Sequence, residues 1–412
     1  MFVLYHQEKQ RLPVKIWLKK PEDLEPECQA QALNLANLPF AFRQVALMPD
    51  THAGYGMPIG GVLACEGAII PNAVGVDIGC GMGFIHTNIP AALIKTTGTP
   101  NGKLAQLIVG AIMREIPVGF AHHQTAQNCA ALDRFAREGR HREEPKELLA
   151  EIDAGYYQAG TLGGGNHFIE LQEDDDGYLG LMLHSGSRNF GYQICHYFNR
   201  AAKEFNRKFA SAVRPEWDLA FLPTDSDPGR SYIEWMNLAL EFAMENRQLM
   251  MERVKRIVFH AVAKHAGFSG AGIDLEVNAH HNYAALERHF GQSLWIHRKG
   301  AIRVRAGEPG IIPGAMGSYS YIVEGLGNPE SFQSCSHGAG RKMGRKEAER
   351  RFKAEEVLAD LKQQDVVLGT PKRNRIADES RWAYKEIDQV IENERDLVRP
   401  VMRLKTVAVV KG

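Results

Sequence analysis

Apolar positions come in short runs over residues 40–90, as FRQVALM, PIGGVLA, GAIIP, AVGVDIG and GFIHT, with glycine interrupting them. Short apolar runs bounded by turn residues predict strands. The period changes over 101–160, where LAQLIVGAIMREI and PKELLAEIDAGYYQA carry apolar residues at helical spacing. Residues 166–184 return to strands, NHFIEL and GYLGLMLH, around an acidic turn from Asp174 to Asp176 closed by Gly177. Those aspartates are expected at a solvated hairpin tip. The longest helical pattern starts near Ser231 and stops near Gly267. Trp235, Leu238, Phe242, Leu249, Val254 and Ile257 form its apolar stripe and are assigned to the core. Strands are predicted again over 273–278, 294–305 and 319–325. Charged helical segments follow at 346–364 and 384–397, and the chain ends in a strand-like KTVAVVKG. Strands and helices come in blocks without regular βαβ alternation, which predicts an α+β fold.

Composition narrows the class. The 412 residues are 44% hydrophobic and 24% charged, which excludes a disordered chain or a coiled coil as a global description. Length alone suggests two to three domains. Lys+Arg and Asp+Glu are both 49, so the formal net charge is zero. A protein that coats nucleic acid is strongly basic, so any such partner must be held by a local patch. Cys28, Cys65, Cys80, Cys129, Cys195 and Cys335 form no CxxC pair, which indicates neither a zinc ribbon nor a disulfide scaffold. No apolar stretch approaches a membrane span, and MFVLYHQEKQ does not read as a signal peptide. A cytoplasmic protein without membrane contact is expected.

Glycine is the compositional clue. It concentrates in HAGYGMPIGG, GVDIGCGMG, GTLGGGNHF, LHSGSRNFG and CSHGAGRKMG. Each cluster carries a residue able to bind a metal or move a proton. Glycine permits positive φ and close backbone approach to a ligand. One such cluster is usually a plain turn; five together point to a site. Asp77, Cys80, His167, His184 and either His280 or His281 offer a carboxylate, a thiolate and imidazoles. That set suits borderline transition ions better than Mg²⁺ alone. Adjacent strand residues face opposite ways, so only one of His280 and His281 can join a given site. Taken singly, each histidine is more often a core or surface group. His337, between small residues in SCSHGAGR, could be a nucleophile or base beside a phosphate-cradling turn, or part of a plain glycine turn before a helix. Three basic groups could contact phosphate: Arg341, Lys342, Arg345, Lys346, Arg350, Arg351 and Lys353; Lys372, Arg373 and Arg375; and Arg298, Lys299, Arg303 and Arg305. For the first group, Glu347, Glu349, Glu355 and Glu356 make a solvated helix face the plainer reading.

These segments resemble the RtcB-type RNA ligases, which join RNA 3′-phosphate ends using GTP. Eleven segments carry the resemblance nearly end to end: MPDTHAGYGMPIGG, GVDIGCGMG, GTLGGGNHFIE, LHSGSR, NAHHNY, RKGAIRVRAG, GIIPGAMGS, GLGN, SCSHGAGR, AYK at 383–385 and the terminal VVKG. The resemblance implies two Mn²⁺ ions bridged by Cys80. Asp77 and His167 would complete one metal, and His184 and His281 the other. His337 would be the nucleophile that becomes guanylylated. Asn166 and Glu170 would contact the guanylate, with Glu170 reading the guanine. Asn282, Pro313, Gly314, Ala315, Met316, Ser320, Gly338, Ala339 and Gly340 would hold phosphate, ribose and base, beside His167 and His281. Lys411 would reach back to the guanine. Asp50 and His52 belong to a motif near the metals.

The resemblance also implies RNA with 3′-phosphate or 2′,3′-cyclic phosphate and 5′-hydroxyl ends as substrate, in tRNA splicing or RNA repair. An archease-type activator and a monomeric state are further expectations. A two-metal phosphoesterase without guanylylation is the competing enzyme class. Residues from Asp77 to Lys411 would then build one site, which replaces the length prior with a single large domain over 1–412. Asn189 departs from the family's HSGSRG, where glycine is usual; a residue tolerant of left-handed backbone is kept there.

Overall fold

In a computed structural model, residues 1–100, 102–137, 145–371 and 376–412 are described. They form a large mixed α/β unit on two main sheets, and the α+β expectation holds. The eight-stranded sheet runs in the order 273–280, 81–90, 178–185, 168–174, 398–411, 319–325, 309–312, with 367–369 paired to 398–411. The six-stranded sheet runs 2–4, 14–16, 41–52, 59–65, 292–299, 282–289. Most pairs are antiparallel; 14–16 with 41–52 and 367–369 with 398–411 are parallel.

Register decides where the site falls. In the larger sheet His184 pairs with Met82 and with Phe168, Lys411 with Phe168, and His280 with Gly81. Cys80, His167, His184, His281 and Lys411 therefore all leave the sheet at one end. The smaller sheet brings Asp50, Asn282 and Lys299 to the same region. A short strand, Ser334–Ser336, pairs with Ala301–Arg303 and delivers His337 between the two.

The long helix spans Asp227–Ala266, starting earlier than Ser231 because Ser226 caps it by accepting from the Gly229 amide. It ends on Gly267 at φ 68°. Trp235, Leu238, Phe242, Val254 and Ile257 are buried in the core as expected, and Leu249 is partly buried. Each such buried side chain stabilises the fold by about 1.5–3 kcal/mol. The 101–160 pattern resolves into helices Leu104–Glu115, Ala130–Arg137 and Lys146–Gln158. The 346–364 segment is two helices, Arg345–Arg351 and Ala354–Gln363, and only Ile387–Asn393 of 384–397 is α-helical. A further helix, Arg188–Lys208, has no counterpart among the elements expected from the sequence pattern.

Several expectations are corrected. Asp174 is buried, not solvated: its carboxylate accepts from the Asp176 and Tyr178 amides and pairs with His86 at 2.8 Å. Of the group Arg298, Lys299, Arg303 and Arg305, only Arg305 is exposed, and the other three are engaged within the fold. Arg298 is fully buried and grips Glu287 in a two-pronged ion pair, Lys299 is buried on backbone carbonyls, and Arg303 pairs with Glu308. Asn189 needs no left-handed tolerance: it lies in the first turn of the helix Arg188–Lys208, and the positive φ falls on Arg188. Lys372, Arg373 and Arg375 lie outside the described residues. All six cysteines are buried and free. No helix among the described residues is long and apolar enough to cross a membrane.

Candidate metal centre and nucleotide cavity

Cys80 is shared by two buried groups of potential ligands: Asp77, Cys80 and His167, and Cys80, His184 and His281. The Cys80 Sγ lies 3.5 Å from His167 Nε2 and 3.2 Å from His184 Nε2. His184 Nε2 is 3.3 Å from His281 Nε2, and His167 Nε2 is 3.1 Å from Asp77 Oδ2. His280 faces away, toward Arg247 and the Gly79 carbonyl, as strand alternation requires.

The backbone sets the tautomers. His184 Nδ1 faces the Asn166 carbonyl at 3.2 Å, and His167 Nδ1 faces the Leu162 carbonyl at 2.9 Å. A carbonyl only accepts, so each Nδ1 carries a proton, and His184, pushed toward the neutral form by burial, turns the lone pair of its Nε2 inward. Arg188 Nη1 also lies 3.2 Å from His167 Nδ1, and the shorter carbonyl contact fixes the proton. Imidazole nitrogens, a sulfur and a carboxylate thus converge within hydrogen-bond distance of one another. Asp77 Oδ1 and His281 Nδ1 are buried without a hydrogen-bond partner among the described residues. Such a donor set fits divalent transition ions.

Burial pushes the Cys80 thiol up, reinforced by the Asp77 carboxylate. Burial and the neighbouring imidazoles push His184 and His281 down, toward the neutral ligand form. Burial opposes ionisation of Asp77, but the hydrogen bond and charge of His167, with Arg188, hold it down at about 2. Gly186 is required beside it, because a Cβ there would overlap Asp77 Oδ1.

His337 stands between two cavities. Its Nδ1 and its backbone amide both donate to Asp50 Oδ2, at 2.6 and 3.0 Å. In the neutral ring this leaves the lone pair on Nε2. Gly340, at φ +71°, lets the turn after His337 press against the Asp50 carbonyl, leaving no room for a Cβ. The first cavity, about 320 Å³, is lined by Asn166, Phe168, Glu170, Pro313–Met316, His337–Gly340, Glu379 and Lys411. That size suits a small ligand such as a nucleotide. The second, about 900 Å³, opens onto Asp77, Cys80, His281 and Asn282. His52, Asn166, His337, Arg341 and Arg345 line both.

Most residues singled out from the sequence thus meet at this site. Asn282 lines the metal side, its side-chain amide donating to the Asp77 carbonyl and accepting from the Gly300 amide. Ser320 lies behind the smaller cavity, accepting from the Gly314 amide and from Gln172. Burial lifts the Glu170 carboxyl to about 7, against hydrogen bonds from Gln172 and Thr406.

Three partners carry no signal in the sequence. Glu379 receives Lys411 Nζ at 2.7 Å and Arg345 Nη1 at 2.5 Å; burial opposes its charge, but Lys411, Arg345 and Arg341 hold its carboxyl at about 2. Arg247 and Asn246 project from the long helix to the Gly79, Ser185 and Gly186 carbonyls behind the ligands. Within an amphipathic pattern, Arg247 reads as a surface charge, and no local feature marks it as buried.

Two buried ligand groups that share Cys80, next to a cavity bordered by His337, define a candidate metal centre beside a ligand cavity. The chain belongs to the RtcB family: the model of "tRNA-splicing ligase RtcB" matches residues 31–412. An RNA-splicing ligase RtcB of Escherichia coli K12 is 38% identical over 97% of this chain and 97% of its own. The tRNA-splicing ligases RtcB of Thermococcus kodakarensis and Nanoarchaeum equitans are 32% and 31% identical, over 93% and 98% of this chain and 90% and 96% of theirs.

Proposed function

We propose that this protein is an RNA ligase that joins an RNA 3′-phosphate or 2′,3′-cyclic phosphate end to a 5′-hydroxyl end, using GTP, in RNA repair or tRNA splicing. The observation that carries the reading is the placement of His337, locked through Nδ1 by Asp50 where the two cavities meet. Its free Nε2 would attack the α-phosphate of GTP; a P–N bond forms and pyrophosphate leaves. A 2′,3′-cyclic end would first be opened by water, breaking the P–O2′ bond to give the 3′-phosphate; the guanylate then passes to that phosphate, freeing His337. The 5′-hydroxyl attacks that activated end, GMP leaves and a 3′,5′-phosphodiester forms. Asp77, Cys80, His167, His184 and His281 would hold two Mn²⁺ ions, which neutralise charge on phosphoryl oxygens when bound. Glu170 would accept from the guanine edge, and Lys411, fixed by Glu379, would border it.

A two-metal phosphoesterase could use the same ligands, but it would have no need of an Asp-oriented histidine beside a separate nucleotide cavity. Incubation with Mn²⁺ and α-labelled GTP separates the two. The wild type is expected to take up an acid-labile, alkali-stable label, and His337→Ala to bind metal without labelling. A fully metallated wild type that stays unlabelled would overturn the ligase reading.

A further inference from the structure

Tyr55 stands on the rim of the larger cavity with 76% of its surface exposed, and its hydroxyl has no hydrogen-bond partner among the described residues. Exposed aromatic residues usually ride on mobile loops; this one is held. Its carbonyl accepts from the buried Lys299 ammonium at 2.6 Å and from the Met57 amide at 2.8 Å. Before it, Gly54 exchanges two hydrogen bonds with the Gln31 side chain. After it, Gly56 at φ +70° packs on the Asp218 carbonyl, leaving no room for a Cβ. The backbone is fixed on both sides while the ring is offered to solvent. Such presentation lowers the entropy cost when a flat partner stacks on it.

Two cations share the rim. Lys346 and Arg350, one helical turn apart on Arg345–Arg351, line the same cavity, are exposed and make no ion pair among the described residues. Their neighbour Arg345 is instead drawn inward to Asp378 and Glu379. Glu25, Glu27 and Glu347 also line the cavity, so the local cations, and not a uniformly positive wall, would set the track of phosphates. An aromatic face with free cations beside it is the arrangement that takes single-stranded nucleic acid.

We propose that Tyr55, Lys346 and Arg350 form a subsite for a single-stranded RNA end, with Tyr55 stacking on a base and the two cations touching backbone phosphates. The inference rests on the ligase reading for its substrate, but its test does not need catalysis. Short oligoribonucleotides carrying 2-aminopurine at the 3′-phosphate terminus, or at the 5′-hydroxyl terminus, are titrated with the full chain. Stacking is expected to quench one of the two labels, which tells the ends apart. Tyr55→Ala should abolish that quenching and weaken binding about tenfold, the effect of removing one base–aromatic stack. Tyr55→Phe should restore both. The pair K346E and R350E should flatten the dependence of log affinity on log salt by about 0.7 for each phosphate that is no longer neutralised. Self-labelling with α-labelled GTP, run in parallel, reports whether each variant keeps a folded site and whether the ligase reading stands. Failure of wild type to label would count against that reading alone. Absence of quenching in both wild-type arms, or unchanged binding by Tyr55→Ala, would overturn the subsite.

Discussion

Asp50 Oδ2 receives two hydrogen bonds from His337, one from the ring Nδ1 at 2.6 Å and one from the backbone amide at 3.0 Å. The carboxylate therefore fixes both the tautomer and the position of the ring. Asp50→Ala should lower the rate of guanylylation by about 10²–10⁴, the range seen when a histidine loses its orienting group. Single-turnover labelling with α-labelled GTP measures it. A rate within about threefold of wild type would show that Asp50 does not set the tautomer.

Cys80 belongs to both ligand groups. Cys80→Ala should therefore cost both metals, not one. Metal analysis after equilibration with Mn²⁺ and gel filtration checks this. Loss of half the bound metal would mean that Cys80 serves one site and bridges nothing.

The buried Glu170 carboxyl, lifted to about 7, would lose its charge in the physiological range. Only the ionised form accepts from two guanine N–H groups. GTP affinity should therefore fall about tenfold as pH drops from about 8 to about 6, roughly one unit below its midpoint. Glu170→Gln should flatten that dependence and reduce the preference for GTP over ATP. Binding titrations across this range decide it; a wild-type affinity independent of pH would count against Glu170 as the guanine acceptor.

Glu394 lies behind His337, accepting from the Ser336 amide at 2.9 Å, with its other oxygen unpartnered among the described residues. Burial lifts its carboxyl from an ordinary 4.5 to about 8. Its folded value is raised, so its contribution to stability is complete below pH 4.5 and is lost as pH rises toward about 8. Glu394→Gln, an isosteric neutral side chain, should be more stable than wild type near pH 8 by at least about 1 kcal/mol, the scale of one pKa unit, and no more stable at pH 4.5. Chemical denaturation at the two pH values tests this, and equal stability at the higher pH would refute it.

The members of the candidate site were legible because they are marked by residue type at short range. Cys80 three residues after Asp77, and the glycines around His337, are local facts of the chain. Gly186 and Gly340 do what glycine permits, allowing close approach to Asp77 and to Asp50. The long helix was legible too, since its stripe and its Gly267 stop lie within one segment. Arg298 and Lys299 misled because a basic run looks the same whether it faces water or Glu287. Asp174 misled because its partner, His86, comes from another strand.

The sequence by itself determined which groups exist, their order, and where the backbone could turn tightly. Only the tertiary structure decided which of them meet. Asp50 and His337 are 287 residues apart, and Glu379 finds Lys411 from a different element. Those encounters follow from the register of strands distant along the chain, where a shift of one residue would turn every side chain to the opposite face. His184 opposite Met82 and Phe168, and Lys411 opposite Phe168, is the register that gathers the ligands and the cavity at one end of the sheet.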